Sequence, residues 1–286
     1  MMSAEILQRQ NADGGWSYRT GSSWTEPTCY ALLALAAANV TQSDAASRGV
    51  QWLAARQRSD GGWAPRAGVD QSTWVTSLAL LLPPGLLAQS VVDGAAGWLL
   101  KQTGRESGLV YRMRMRLLGV RIETEGFDGW PWFPGTAAWV APTALSILAL
   151  QKLRRTDGGN IATPIAKRID EGRKFLLVRR CRDGGWNHGS TRALGYDSDS
   201  YPETTGVALL ALNDSKEPEV TRAELVAEKQ AAACRSLEGA SWLTLALLAR
   251  GRTVRAASPG AHGGTVELAL STIAQAAELG RNVFLS

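Results

Sequence analysis

The segment Gln10-Asn-Ala-Asp-Gly-Gly-Trp16 returns as Arg56-Gln-Arg-Ser-Asp-Gly-Gly-Trp63 and again as Arg180-Cys-Arg-Asp-Gly-Gly-Trp186. A looser copy, Phe127-Asp-Gly-Trp-Pro-Trp132, lies between them. Such self-similarity restricts the chain to an architecture that repeats one supersecondary unit. The paired glycines supply the tight backbone that ends a helix. The Trp and the preceding Gln can pin the turn by stacking and hydrogen bonding.

The flanks repeat as well. Upstream of the second turn, Arg48-Gly-Val-Gln-Trp-Leu-Ala-Ala-Arg-Gln57 sets Val50, Leu53 and Ala54 on one helical face. Glu171-Gly-Arg-Lys-Phe-Leu-Leu-Val-Arg-Arg180 has the same arrangement with Phe for Trp. Downstream come helices led by Thr28, Thr73, Thr143 and Thr205 and apolar nearly all round; a fifth, from Ser241, has no glycine turn before it. An apolar helix must be buried on every side, whereas an amphipathic one faces solvent. The pattern therefore predicts an all-α protein, an α/α toroid with amphipathic helices outside and apolar helices inside. Pro27, Pro142 and Pro202 fall where inner helices begin, where a missing N–H costs nothing. All inner N-termini are then expected at one mouth, presenting positive partial charge and free N–H groups.

A single toroid over residues 1–286 is expected, with an insertion at about 104–125, because Trp16 and Trp63 lie 47 positions apart but Trp63 and Trp130 lie 67 apart. Within it, Tyr111-Arg-Met-Arg-Met-Arg-Leu-Leu-Gly-Val-Arg-Ile122 alternates basic and apolar side chains, which suits a strand or hairpin. It reads as a surface hairpin, or as a lid or basic lip for an anionic ligand or membrane. The last helix, from Gly264 to Leu279, is expected to complete the outer ring where the first helix is truncated.

Composition narrows the function. The net charge of +5 suits an anionic ligand or a peripheral membrane contact, but no RNA or DNA motif accompanies it, so no nucleic-acid partner is expected. Cys29, Cys181 and Cys234 are too few and too scattered for a disulfide framework. With no signal-peptide core and no membrane-length apolar run, the expected location is the cytoplasm, with membrane association open.

The spacing Arg48-Gly-x-x-Trp52-Leu53-x-x-x-Gln57-x-x-x-Gly61-x-Trp63 resembles the QW motif of squalene–hopene cyclases, of the prenyltransferase and squalene oxidase repeat family. The likeness runs from about residue 8 to 248. It implies a terpenoid cyclase-like toroid binding an isoprenoid or similar apolar substrate, with acid-initiated cyclisation and no cofactor. In that family an Asp-x-Asp-Asp-Thr motif opens an inner helix, and a protonated carboxyl starts the reaction. Here the nearest match is Asp197-Ser-Asp-Ser-Tyr-Pro-Glu-Thr-Thr205. Aligning Thr205 puts Glu203 at the catalytic position and Tyr201 at that of the first Asp; alternatively Asp197 and Asp199 form a displaced pair.

Glu26 holds the same place before Thr28, so a carboxylate that caps a helix N-terminus is the first reading for both glutamates, and it is compatible with a catalytic role for one of them. Trp24, Trp74, Trp139 and Trp242, near the starts of inner helices, are candidates for the substrate wall beside Glu26 and Tyr201. The zinc site of protein prenyltransferases is not expected, since Pro27 precedes Thr28-Cys29-Tyr30 where an Asp ligand belongs and only His188 and His262 are available. Two alternatives stand beside the cyclase: a non-catalytic toroid that binds an apolar ligand or partner protein, and a prenyltransferase-like subunit without zinc.

Overall fold

A computed structural model of the chain describes residues 2–119, 127–156, 162–189, 191–193, 196–257 and 263–286. Six helices form a closed inner ring: α2 (Thr25–Ala37), α4 (Val75–Leu80), α7 (Val140–Thr156), α9 (Pro202–Ala211), α11 (Leu237–Ala249) and α12 (Thr265–Glu278), each packing on the next and α12 returning to α2. Outside them lie α1 (Met2–Gln8), α3 (Asp44–Ala54), α5 (Gln89–Lys101), α8 (Ala162–Val178) and α10 (Pro218–Ala233). The architecture is the expected α/α toroid.

Each turn is built from the residues that repeat. The indole N–H of Trp16, Trp63, Trp130 and Trp186 donates to a carbonyl near the end of an outer helix, of Ile6, Leu53, Leu99 and Leu176, at 2.7–2.9 Å. The amide of the same Trp donates to a threonine hydroxyl on the following inner helix: Thr28, Thr76, Thr143 or Thr205. Asp13, Asp60 and Asp183 each accept from the second glycine of their own turn and from a serine. Gly49 and Gly172 are glycines because an indole lies against them: a Cβ would sit 2.6 Å from Trp16 and 2.7 Å from Trp130.

The mouth is closed by backbone bonds between repeats. The amides of Thr25, Trp74, Val140 and Thr265 donate to the carbonyls of Pro65, Trp132, His188 and Tyr18, each two residues beyond a turn Trp. The N–H groups expected to be free there are, at these four positions, already committed. Helix starts cannot remain unpaired when buried, and neighbouring turns satisfy them.

Three expectations change. The last helix, α12, belongs to the inner ring: it lies between α11 and α2 and eleven of its fourteen residues are buried. Its placement follows from ring closure, and α1 takes the outer position beside it. The apolar helix after the second turn begins at Val75, so Thr76, and not Thr73, is the equivalent of Thr28. Finally, the alternating stretch is helical: α6 (Leu109–Leu117) follows a 3₁₀ turn at Arg105–Ser107. Arg, Met and Leu are good helix formers, and an alternation without β-branched residues or a partner strand does not make a sheet. Residues 120–125 of the insertion lie outside the described residues.

Candidate functional site

The mouth gathers carboxylates. Glu26, Glu203, Glu238 and Glu267 stand in the first turns of α2, α9, α11 and α12, which are consecutive around the ring. Helix dipoles favour acids there. Glu26 accepts a hydrogen bond from the Tyr18 hydroxyl. Burial pushes its carboxyl up to about 7, the Tyr18 bond opposes that rise, and the charge of Glu238 adds to it. Glu238 is raised by burial and by the charges of Glu203 and Glu267, against a hydrogen bond from Trp242. Glu267 is a cap, accepting from the amide of Gly264. Desolvation and crowding of like charge thus favour the protonated forms of Glu26 and Glu238.

The other expected site residues divide between neighbourhoods. Glu203 is partly buried and packs over Gly239, where a Cβ would lie 2.9 Å from its Oε1. Asp197 and Asp199 are both exposed, and their contacts lead elsewhere, to the fourth turn. Asp197 sits in a two-stranded hairpin, β1 (Arg192–Ala193) with β2 (Tyr196–Asp197), and pairs with Arg182 at 3.1 Å. Burial, and then the charge of Asp183, raise the Cys181 thiol to about 11, and the charge of Asp199 adds a smaller rise.

Trp24 meets Tyr18 edge-on at 5.5 Å under the Arg66 guanidinium. Trp74 meets Trp132 at 4.8 Å. Trp139 packs near Gly189, and the half-exposed Tyr201 leans on His188 at 5.4 Å. Cys29 is buried with its thiol pushed up, and His262 lies outside the described residues. Among the described residues no group of three or more His, Cys, Asp or Glu side chains is arranged to hold a metal ion.

The interior behind the mouth is occupied. Trp242, on α11, lies between Tyr30 of α2 at 6.3 Å and Phe284 at 5.2 Å, and all three rings are at most 3% exposed. Because α12 separates α11 from α2 in the ring, the Tyr30–Trp242 contact crosses the inside of the barrel. Phe284 comes from the C-terminal tail, which turns back into the toroid after α12.

A cavity lies at the opposite end, where the inner helices finish. It measures about 540 Å³ and opens among α4, α5, α7, α8 and the segment that follows α4. Its cause is a short helix. α4 has six residues where the other inner helices have ten to seventeen. Pro83-Pro84-Gly85 then turns the chain away, since proline can neither donate to a helix nor follow a helical residue easily. α7 runs on past this break and leaves a space at its side. Leu80, Leu82, Leu87, Ala96 and Ile165 line the buried part, while Pro84, Gly85, Gln89 and Asp93 form an exposed rim.

Lys152, 3% exposed, also lines it, and its ammonium donates to the carbonyls of Leu81 and Val283, each at 2.9 Å. Burial, and then the charge of Arg155, lower its pKa to about 8. Sequence reasoning missed Glu238 and Glu267 because α11 and α12 follow no Asp-Gly-Gly-Trp turn to align, and Tyr18 because no local pattern links it to Glu26. It missed the cavity although the Pro-Pro-Gly break after a short apolar run was its signal.

Comparison with known proteins agrees with this architecture. Residues 3–71 match the family described as the squalene-hopene cyclase C-terminal domain. No curated protein gives a significant match. Among solved structures, endoglucanase Cel10, a family 8 glycosyl hydrolase from Klebsiella pneumoniae, superposes with a TM-score of 0.63 at 13% identity, over 99% of each chain. A protein from Actinoplanes superposes with a TM-score of 0.51 at 15% identity, over 87% of this chain and 73% of that one. At such identities both likenesses speak for the fold alone. The chain is thus squalene–hopene cyclase-like in the sequence of residues 3–71, within an α/α toroid.

Proposed function

We propose that the protein is a squalene cyclase-like toroid that binds an isoprenoid-like apolar molecule in the cavity beside α4, without ring closure in the barrel interior. The observation that carries this reading is the cavity itself: its volume is that of a small-molecule site and its deep wall is aliphatic apart from Lys152. Cyclisation started by Glu203 needs an empty chamber behind the mouth, and Tyr30, Trp242 and Phe284 occupy that region. Titration with farnesol and squalene tests the proposal. Saturable binding of either supports it, and the absence of binding to both sinks it.

One observation favours a second reading, acid chemistry at the mouth. The Glu26 carboxyl, raised to about 7 and bonded to Tyr18, is suited to proton donation at neutral pH. In that reading Glu26 is the acid, burial and then the charge of Glu238 keep it protonated, and Trp24, edge-on to Tyr18, supplies an aromatic wall. Conversion of an isoprenoid alcohol by wild type, abolished in Glu26→Gln, is the outcome it requires.

Peripheral membrane contact is proposed through α6. Leu109, Val110, Met113 and Leu117 are 56–86% exposed and share one side of this helix, with Arg114 and Arg116 flanking them. Tyr111, Arg112 and Met115 turn to the body of the protein, where Arg112 pairs with Asp128 at 3.3 Å. An outward apolar stripe edged by cations suits an anionic lipid surface. No helix among the described residues is long and apolar enough to cross a membrane.

A further inference from the structure

We propose that the cavity beside α4 takes its ligand tail first and that its rim, centred on Asp93, selects the head: an alcohol or an ammonium is accepted, and a phosphate or a carboxylate is turned away. This rests on the cavity being a ligand site, as argued above, and adds the chemistry of the group at its entrance. Leu80, Leu82, Leu87 and Ile165 offer the deep wall to a hydrocarbon chain. Lys152 is engaged there by the protein's own carbonyls, of Leu81 and Val283, and is part of the wall. The polar end of an amphiphile therefore stays at the entrance, where water reaches it.

The entrance is rich in acceptors. Pro83 and Pro84 line it and have no N–H to donate. The Gln89 amide gives a hydrogen to Asp93 Oδ1 at 2.8 Å, which holds the carboxylate at the rim. Among the described residues neither side chain makes another hydrogen bond, so Asp93 Oδ2 and Gln89 Oε1 are left to accept one. α5 begins at this rim, and its positive end would draw an anion, but Asp93, one turn in, offsets that field. A hydroxyl donates to these oxygens, and an ammonium both donates and pairs with the carboxylate. A phosphate or carboxylate finds few donors there and is repelled by the charge of Asp93.

The test compares farnesylamine, farnesol and farnesyl phosphate, which share one hydrocarbon chain, by titration calorimetry at pH 7 below their aggregation limits. Asp93 is exposed and acts partly through solvent, so each step is modest. The amine should bind about threefold or more tightly than farnesol, and farnesol about threefold or more tightly than the phosphate. In Asp93→Asn, which keeps an acceptor for Gln89 and deletes the charge, the range from amine to phosphate should shrink below about threefold while farnesol affinity stays within about twofold. Farnesol should also displace the amine from wild type, as one shared site requires.

A phosphate that binds wild type as tightly as the amine overturns the proposal; saturable farnesol binding then leaves the cavity reading standing, and only the head-group assignment falls. A full range that persists in Asp93→Asn overturns it as well, because the selection then comes from another group. So does an amine that farnesol cannot displace, since it sits elsewhere, among the acids of the mouth. Binding of none of the three contradicts the cavity reading itself.

Discussion

The amide of Trp63 donates to the hydroxyl of Thr76 at 3.0 Å, while the hydroxyl of Thr73, three residues earlier and also buried, has no hydrogen-bond partner. Thr76 therefore holds the second turn against α4 as Thr28, Thr143 and Thr205 hold the others. Replacing Thr76 by Val orphans a buried N–H and is expected to cost about 1–3 kcal/mol, whereas Thr73→Val removes an unpaired hydroxyl and should be neutral or stabilising. Urea denaturation of the two variants checks the order, and equal losses would contradict the register.

Phe284 fills the inside of the ring against Trp242 and is fully buried. Phe284→Ala leaves a cavity there and should destabilise the protein by about 3–5 kcal/mol. A loss below about 1 kcal/mol, the range of surface substitutions, would mean that the tail is not packed in the barrel.

Much of this architecture is legible in the sequence, and the reasons for the gaps are physical. The turns announce themselves because glycine, aspartate and tryptophan each make a backbone-specific contact in the three strict copies, so the pattern survives changes between them. The inner position of α12 is not legible, because its burial depends on closure between α11 and α2, which no local pattern records. α6 lacks the signature of a core-facing helix because its outward face is the apolar one. Lys152 looks like the polar end of α7 in sequence, and only the early stop of α4 and the returning tail put it in a cavity wall. Glu203 was legible as a helix-start acid, but the partners that bring out Glu26, namely Tyr18 and Glu238, come from elements far away in the chain.

Glu26 gives a pH test. Its folded-state value of about 7 lies above the ordinary 4.5, raised by burial first. A raised carboxyl contributes stability that is fully present below about pH 4.5 and is lost as pH rises through about 7. Glu26→Gln removes this titration. Melting temperatures at pH 5 and pH 8 should therefore fall more for wild type than for the variant. An identical change in both would show that Glu26 ionises normally.

The outward stripe of α6 predicts vesicle binding. Cosedimentation with vesicles rich in phosphatidylserine should drop about tenfold or more in Leu117→Glu, since the substitution both removes an apolar contact and adds repulsion. Leu117 is 86% exposed, so thermal stability should not change. Equal sedimentation of wild type and variant would rule α6 out as the contact.

The cavity beside α4 is the central claim, and a substitution that fills it tests it most directly. Ala96 lines the cavity from α5 and is 4% exposed. Titration calorimetry of farnesol into wild type and Ala96→Phe, with native circular dichroism in both, should give saturable binding to wild type at about micromolar affinity and at least about tenfold weaker binding to the variant. The same affinity in both proteins, or no saturable binding to wild type, would contradict the account.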